Sequence, residues 1–514
     1  MNDHHGEQPP LRQTFYLLAG FALLKVLVHV CTMGLGPYGY FRDEFYYLDC
    51  AANLDWGYVD QPPLSMLILA VTRLLLGPSI FAIRIPAILA GAATVAMAGL
   101  LAREMGGGKF AQALACLSLI AAPVFLTMSS FFSMNPFDYL FWAIAAYILV
   151  RIVNTGNARL WLWFGVIAGL GLENKMSMAF FGGLLAVTLI LTPQRKYYLD
   201  WHLWVGGGVA LAIFLPNILW QISHGWPTLE FMHDTNVYKN VPATLPKFLL
   251  GQFLFMGPAT APIWIAGVLY GLFSKNGRPF RIFCFVYIGL AGVFYWTNGK
   301  SYYLAPIYPM LLALGAVALE GMTGQRRWIR WVLAVLVITT GALLAPHAIP
   351  ILSPEALIRY QTAMGLKAPK QERAHAGVLP QHIGDRLGWD EMAAMISDAY
   401  HTLDPKDRAR CTILVSNYGE AGALNLWGPK LGLPRAISGY MTYYLWGPGD
   451  AKGDVVLAYW DDRKTLEDLF EDVTEVGRFT HPYVMERQDN RPLYLCRSLK
   501  APMQKAWPRF KRYW

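Results

Sequence analysis

Long apolar runs separated by short polar connections occupy residues 13–346, and the pattern stops there. A helix needs about 20 apolar residues to cross a bilayer core. By that measure the runs predict eleven spans, at 13–33, 80–102, 109–124, 136–153, 159–172, 176–192, 202–221, 248–273, 280–296, 302–320 and 328–346. A twelfth run, 63–76, is short, starts at Pro63 and contains Arg73, so it reads as lying along the interface. Beyond residue 350 the period changes. Residues 388–403 have helical spacing, 463–473 read as a short charged helix, and 411–416, 454–460 and 492–498 are strand-like. The expected fold is therefore a polytopic α-helical membrane protein, residues 1–349, carrying a small C-terminal α/β domain, residues 350–514. The last stretch, 500–514, is basic and aromatic, suited to a membrane surface or to no particular role.

Charge then orients the chain. With the N-terminus in the cytoplasm, the inside connections carry twelve Lys and Arg, among them Arg103, Arg151, Lys196 and Arg326, and the longer outside connections carry seven. This is the positive-inside bias. It places loops 34–63 and 222–247, the turn at Lys300 and the C-terminal domain outside. The same bias accounts for much of the net charge of +9, so nucleic acid is not an expected partner. The first apolar run has no convincing cleavage site and reads as a transmembrane helix rather than a signal peptide. The six cysteines form no CxxC or CxxH pair, which removes support for a structural zinc site. Cys411 and Cys496 both fall in the C-terminal domain, where a disulfide and two reduced core cysteines are both open readings.

The reactive-looking residues sit almost entirely in the outside connections. Asp43-Glu44 follows the first span and is flanked by Tyr40, Phe41, Phe45, Tyr46 and Tyr47. A lone acidic pair is ordinarily a solvated loop feature. Beside aromatic walls it is a candidate general base, because desolvation raises a carboxyl pKa toward the working range. Asp60 stands before Gln61-Pro62-Pro63, which is a turn or a device holding a second carboxylate near the first. Lys175 snorkels or binds a phosphate. Glu230 and His233, at i and i+3, are candidate metal ligands together with His224 and Asp60, which makes a divalent ion a candidate cofactor. Lys300, Tyr302 and Tyr303 are an interfacial aromatic belt or a phosphate and sugar contact. No Walker A, Rossmann, nucleophile-elbow or HExxH motif is present, so no nucleotide cofactor is expected and a lipid-linked donor fits better. A secondary transporter is the alternative class; the mid-span segments are nearly free of acids and no inverted repeat is visible.

The order of these motifs resembles the bacterial members of glycosyltransferase family 39, in the GT-C superfamily, which includes protein O-mannosyltransferases and the lipid A aminoarabinose transferases. The resemblance rests on Asp43-Glu44, Asp60-Gln61-Pro62-Pro63-Leu64, Gly169–Ser177, Pro216-Asn217 with His224-Gly225-Trp226-Pro227, and Lys300-Ser301-Tyr302-Tyr303-Leu304-Ala305-Pro306. Residues 416–423, from Ser416 to Ala423, resemble part of a domain found in many bacterial members. The resemblance implies a GT-C fold in a bacterial cytoplasmic membrane. It also implies inverting transfer of a hexose or pentose from a polyprenyl-phosphate donor to a lipid, glycan or protein hydroxyl on the extracytoplasmic face. By the same resemblance Asp43, with Glu44 its neighbour, acts as base on the acceptor hydroxyl or orients it, and Asp60 is a candidate metal ligand with a histidine of the later loop. Where the aminoarabinose transferases have Glu-Lys-Pro-Pro, this chain has Gln61 in place of the phosphate-binding lysine. The donor phosphate is then expected on Lys175, Arg84 or Lys300.

Overall fold

The computed structural model describes residues 9–366 and 377–514. The bundle is built from α1 (Leu11–Thr32), α2 (Arg42–Ala52), α3 (Leu64–Leu76), α4 (Ile80–Glu104), α5 (Lys109–Ala121), α6 (Pro123–Met128), α7 (Asn135–Thr155), α8 (Leu160–Asn174), α9 (Ser177–Ile190), α10 (Trp201–Ser223), α11 (Pro227–Asp234), α12 (Leu245–Met256), α13 (Ala261–Phe273), α14 (Arg281–Trp296), α15 (Tyr308–Met322) and α16 (Trp328–Ala348). Seven of the described helices are long and apolar enough to cross a membrane, and two bent pairs raise this to nine. The expected eleven spans are not reproduced, and the reason is local. Pro123 starts a new helix after Ala121, leaving α5 only 13 residues long, or about 20 Å at 1.5 Å per residue. α8 has 15 residues. The expected span 248–273 breaks at Gly257-Pro258, where α12 meets α13 through a bend of 96°. α3 is the short apolar helix expected at the interface, and Arg73 near its end donates to Leu48 O at 3.0 Å.

Helices without a hydrophobic drive between them associate through close van der Waals packing and hydrogen bonds. Gly165 of α8 faces Gly206 of α10 so closely that a Cβ on Gly165 would lie 2.1 Å from the Gly206 carbonyl oxygen. α1 is held by two buried polar side chains. Lys25 Nζ donates to Phe125 O at 2.8 Å and His29 Nε2 to Leu126 O at 3.1 Å, so both serve carbonyls of the short helix α6. The two ends of the bundle are distinct. At one, Arg103 reaches Pro9 O, and Glu320 accepts the Gly108 and Phe110 amides. At the other lie residues 34–63, loop 222–247 and the C-terminal domain.

That domain contains α17 (Pro354–Ala363), α18 (Gln381–Gly384), α19 (Trp389–His401), α20 (Pro405–Arg408), β1 (Cys411–Val415), α21 (Tyr418–Trp427), β2 (Ala436–Ser438), α22 (Thr442–Trp446), β3 (Val455–Tyr459), α23 (Arg463–Leu469), β4 (Phe470–Phe479), β5 (Arg491–Leu499) and α24 (Met503–Ala506). The sheet order is β2-β1-β3-β5-β4, parallel across β2, β1 and β3 and antiparallel at β5 and β4. The expected charged helix 463–473 stops at Leu469, and β4 begins there. Register settles the cysteines. Cys411 pairs with Val455 and Cys496 with Val456, neighbours on the intervening strand β3. Strands two apart are separated by about 9–10 Å, beyond the roughly 7 Å that a disulfide spans, so both cysteines are free. The tail is not a surface appendage. Trp507 and Phe510 are buried in a domain core, Arg512 exchanges backbone bonds with Gly439 and Met441, and Lys511 pairs with Glu230 of α11 at 2.7 Å.

The domain does not hang from the bundle by a linker. A single core joins Phe45, Tyr46 and Leu48 of α2 to Trp389, Tyr418, Ala421 and Leu424. α21 crosses α2 almost backbone to backbone, because a Cβ on Gly422 would lie 2.6 Å from the Phe45 carbonyl carbon. Gly422→Ala is therefore expected to cost about 1–3 kcal/mol by overpacking and to lower the thermal midpoint of the purified protein. Gly182→Ala, where nothing lies within 4 Å, should leave the midpoint unchanged in the same scanning-fluorimetry experiment.

Candidate active site

The site is organised on α2. Phe41 is extended and its N–H donates to the Glu44 Oε2 at 2.8 Å, so the third residue of the helix closes its own first turn. Negative charge is favoured there. Glu44 is fully buried, and each carboxylate oxygen accepts two bonds. Oε1 takes Arg84 Nε at 2.8 Å and the Phe132 amide at 2.8 Å; Oε2 takes Arg84 Nη2 at 2.7 Å besides Phe41. Arg84, also buried, spends a further bond on Gly39 O. The structure shows that Glu44, expected as a reacting acid, and Arg84, expected as a phosphate contact, bond each other in the interior, because α4 carries the guanidinium to the start of α2.

Asp43 is turned the other way. Its side chain is 26% exposed. Oδ1 accepts from Tyr418 OH at 2.8 Å and from Arg42 Nε at 3.2 Å. The Arg42 guanidinium lies 5.2 Å over the Tyr418 ring and 3.4 Å from Asp385. Asp60 is half-buried and accepts from Tyr46 OH at 2.7 Å. Burial pushes its carboxyl up to about 6, the Tyr46 bond works against that, Asp43 adds to it and Lys239 opposes it. Both carboxylates and the lysine therefore share one electrostatic neighbourhood. Asp49, one face further along α2, is bonded by Asn425 and Tyr443.

A second polar group sits where α7, α8 and α9 meet. Lys175 Nζ donates to Asn135 Oδ1 at 2.6 Å, lies 3.7 Å from Asp138 Oδ2 and 5.9 Å from the centre of the Tyr303 ring. Ser177 donates to Asp138. Lys300 precedes the 3-10 turn Ser301–Ile307, and Tyr302 and Tyr303 pack edge to face at 4.9 Å within it. Met134 connects the two groups, since it touches Tyr47 OH through sulfur at 3.7 Å and precedes Asn135. Gln61 is buried, and neither atom of its amide has a partner among the described residues.

The expected metal ligands are not gathered. Glu230 is paired with Lys511, His233 faces solvent beside Asp234, and His224 stacks on Trp220 and bonds its carbonyl. Among the described residues no three His, Cys, Asp or Glu side chains are grouped to hold a metal ion. The expected set of Asp60, His224, Glu230 and His233 is therefore not assembled in this structure. Sequence reading gave Tyr46 only as an aromatic wall and assigned nothing to Lys239, Tyr418, Thr442 and Asp138. Tyr418 lies within the quoted stretch Ser416–Ala423 but carried no chemical signal there; Thr442 meets Tyr46 across 396 residues, and no spacing announces that.

Residues 60–220 match the family model described as dolichyl-phosphate-mannose-protein mannosyltransferase. No curated protein matches the chain. Among solved structures, ArnT from Cupriavidus metallidurans is similar over 94% of this chain and 97% of its own, with a TM-score of 0.60 and 17% identity in the apo state, and 0.57 and 16% when bound to undecaprenyl phosphate. The oligosaccharyltransferase of Archaeoglobus fulgidus is similar over 83% of this chain and 64% of its own, with a TM-score of 0.53 and 12% identity. The fold is that of the GT-C membrane glycosyltransferases, and the resemblance read from the motifs holds at that level.

Two measurements check the site's electrostatics. Glu44→Gln leaves Arg84 buried with a weakened partner; breaking such a pair costs about 3–5 kcal/mol, so its thermal midpoint should fall well below that of Asp43→Asn, whose carboxylate is partly exposed. Asp60 binds its proton more tightly folded than unfolded. Its contribution to stability is therefore present below about pH 4 and lost as pH rises to about 6. Asp60→Asn should remove that slope from a plot of thermal midpoint against pH.

Proposed function

We propose that this protein is an inverting membrane glycosyltransferase that moves a hexose or pentose from a polyprenyl-phosphate donor to a hydroxyl of a lipid, glycan or protein acceptor. In this reading the reaction takes place at the extracytoplasmic face of a bacterial inner membrane, and the excess of Lys and Arg in the connections read as cytoplasmic supports that side. The observation that carries the reading is the placement of a partly exposed Asp43 and a half-buried Asp60 on two tyrosines packed against each other, Tyr418 bonding the first and Tyr46 the second, at the loop-bearing end of a GT-C bundle. The undecaprenyl phosphate held by the similar ArnT supports a lipid-linked donor.

Asp43 accepts the proton of the acceptor hydroxyl as that oxygen forms its bond to the anomeric carbon. The bond between that carbon and the phosphate oxygen breaks on the opposite face, and the polyprenyl phosphate leaves with the electron pair. Inversion follows from a single displacement. Tyr418 and Arg42 both bond Oδ1, so the acceptor meets Oδ2. Lys175, held between Asn135 and Asp138 with Tyr303 beside it, is the contact for the phosphate, with Lys300 and Tyr302 on the adjoining turn. An ammonium there stabilises the charge that the leaving phosphate gains. No step is assigned to a metal ion.

The purified protein in lipid nanodiscs should turn over one of a panel of undecaprenyl-phosphate-linked hexoses and pentoses, with an inverted anomeric product by NMR. Asp43→Asn should lower kcat by about 10²–10⁴-fold, and Lys175→Ala should chiefly raise the donor KM. Full activity in Asp43→Asn would sink the base assignment.

A further inference from the structure

Both acids of the proposed site are held by hydroxyls that come from, or are fixed by, the C-terminal domain. We infer that Tyr418 and Thr442 are positioning residues for Asp43 and Asp60, so that the C-terminal domain is an integral part of the catalytic apparatus. The inference rests on the transferase reading of those two carboxylates.

The bonds on Asp60 have a forced direction. The Val59 amide can only donate, and it donates to Thr442 Oγ1 at 3.1 Å. Tyr46 spends its proton on Asp60 Oδ1 at 2.7 Å. The 2.6 Å contact between Thr442 and Tyr46 must therefore run from the threonine hydroxyl to the phenol oxygen. The chain reads Val59 N–H, Thr442 O–H, Tyr46 O–H, Asp60 carboxylate, with every member polarised the same way. It begins on the amide next to the residue where it ends, so it locks the turn and the carboxylate together. Thr442 is the one member that is not local in sequence.

The bond on Asp43 is equally constrained. Tyr418 opens α21, whose start is fixed by Asn417 and Glu420 bonding each other's backbone amides. Its ring is packed against Tyr46 at 5.2 Å and Tyr440 at 5.3 Å, with Arg42 over one face. Held by these rings, the phenol donates to Asp43 Oδ1 at 2.8 Å. Thr442 is placed with similar care. Met441 before it adopts φ 50°, ψ −139°, a conformation that a non-glycine residue holds only when its surroundings over-determine it. Here the tail does so, through Arg512 and its bonds to Gly439 and Met441.

A domain that merely adheres to the bundle would also make hydrogen bonds to α2, and one such bond provides the control. Asn425 donates to Asp49 Oδ2 at 2.7 Å, on the same helix but away from the two acids. Tyr418→Phe, which removes a bond to the Asp43 carboxylate, and Thr442→Val, which removes the hydroxyl bonded to the phenol that holds Asp60, should each lower kcat by about tenfold or more, with the donor KM within about twofold of wild type. Thr442→Ser should restore wild-type kcat, and Asn425→Ala should leave it unchanged. In an Asp43→Asn background, Tyr418→Phe should have no further effect. The inference is overturned if Tyr418→Phe and Thr442→Val keep wild-type kcat, if Asn425→Ala matches their loss, if Thr442→Ser is as slow as Thr442→Val, or if Tyr418→Phe slows Asp43→Asn further. No turnover of any donor in the panel by wild type overturns the transferase reading itself and this inference with it, whereas a fully active Asp43→Asn beside an active wild type overturns the base assignment and the role given to Tyr418. An inactive Asp43→Asn beside fully active Tyr418→Phe and Thr442→Val overturns this inference alone.

Discussion

The buried Glu44–Arg84 pair is the constraint on which the site depends. A carboxylate taken out of water is costly unless it is both paired and hydrogen-bonded. Glu44 meets that condition with four donors drawn from three places: the guanidinium on α4, the amide of Phe132 after α6, and the amide of Phe41 just before its own helix. Satisfying one charge thereby fixes three segments relative to one another. It also fixes which way α2 faces. With Glu44 turned into the protein, the preceding residue must turn out, and Asp43 is left partly exposed beside Arg42 and Tyr418. Two adjacent acids with the same chemistry acquire opposite roles from a rotation of about 100° per residue along the helix.

The same helix is the meeting point of bundle and C-terminal domain. Its inner side is held by Arg84 and its outer side by α21, with Gly422 allowing the two backbones to touch. Further bonds run along its length, from Asp43 to Tyr418, from Tyr46 to Thr442 and from Asp49 to Asn425 and Tyr443. The tail extends this to the remaining loop, since Lys511 pairs with Glu230 and Trp514 packs between Tyr238 and Tyr440. The three sequence-distant parts of the loop-bearing end are thus one packed body, and the residue beside Tyr238 is Lys239, whose charge reaches Asp60.

Much of the fold was legible, because hydropathy and period report burial directly. The long runs became helices within a few residues, and the three strand-like runs became β1, β3 and β5. The misses have physical causes. β4 carries polar residues at half of its positions, in pairs rather than alternately, as a sheet edge can, and so has no alternation to read. β2 is three residues long. The breaks at Pro123 and Gly257-Pro258 fall inside continuous apolar runs, where hydropathy cannot see a change of direction. In the site, Asp43, Asp60 and Lys175 were marked by their loop context. Which of Asp43 and Glu44 faces out was not, because that is decided by Arg84, forty residues away, and the hydroxyls on the acids come from a domain whose docking leaves no local signature.

Gln61 shows how such a scaffold can be altered at one point without losing its frame. In the aminoarabinose transferases that the chain resembles, a lysine follows the acid of this turn. Here the amide is buried and unpartnered among the described residues. A lysine in that place would be a buried charge needing a phosphate or an acid beside it; glutamine removes that demand along with the cation. The proposed reaction then requires its cations from other elements. Lys175 is presented by the end of α8 and Lys239 by the loop that the tail holds. Because neither lies on the segment that carries Asp60, the acids and these cations are mounted on separate elements. In the proposed reaction the position of the leaving group at Lys175 relative to Asp43 is then set by how α8 packs against α2, and changes in that packing can tune the donor without disturbing the Glu44–Arg84 anchor.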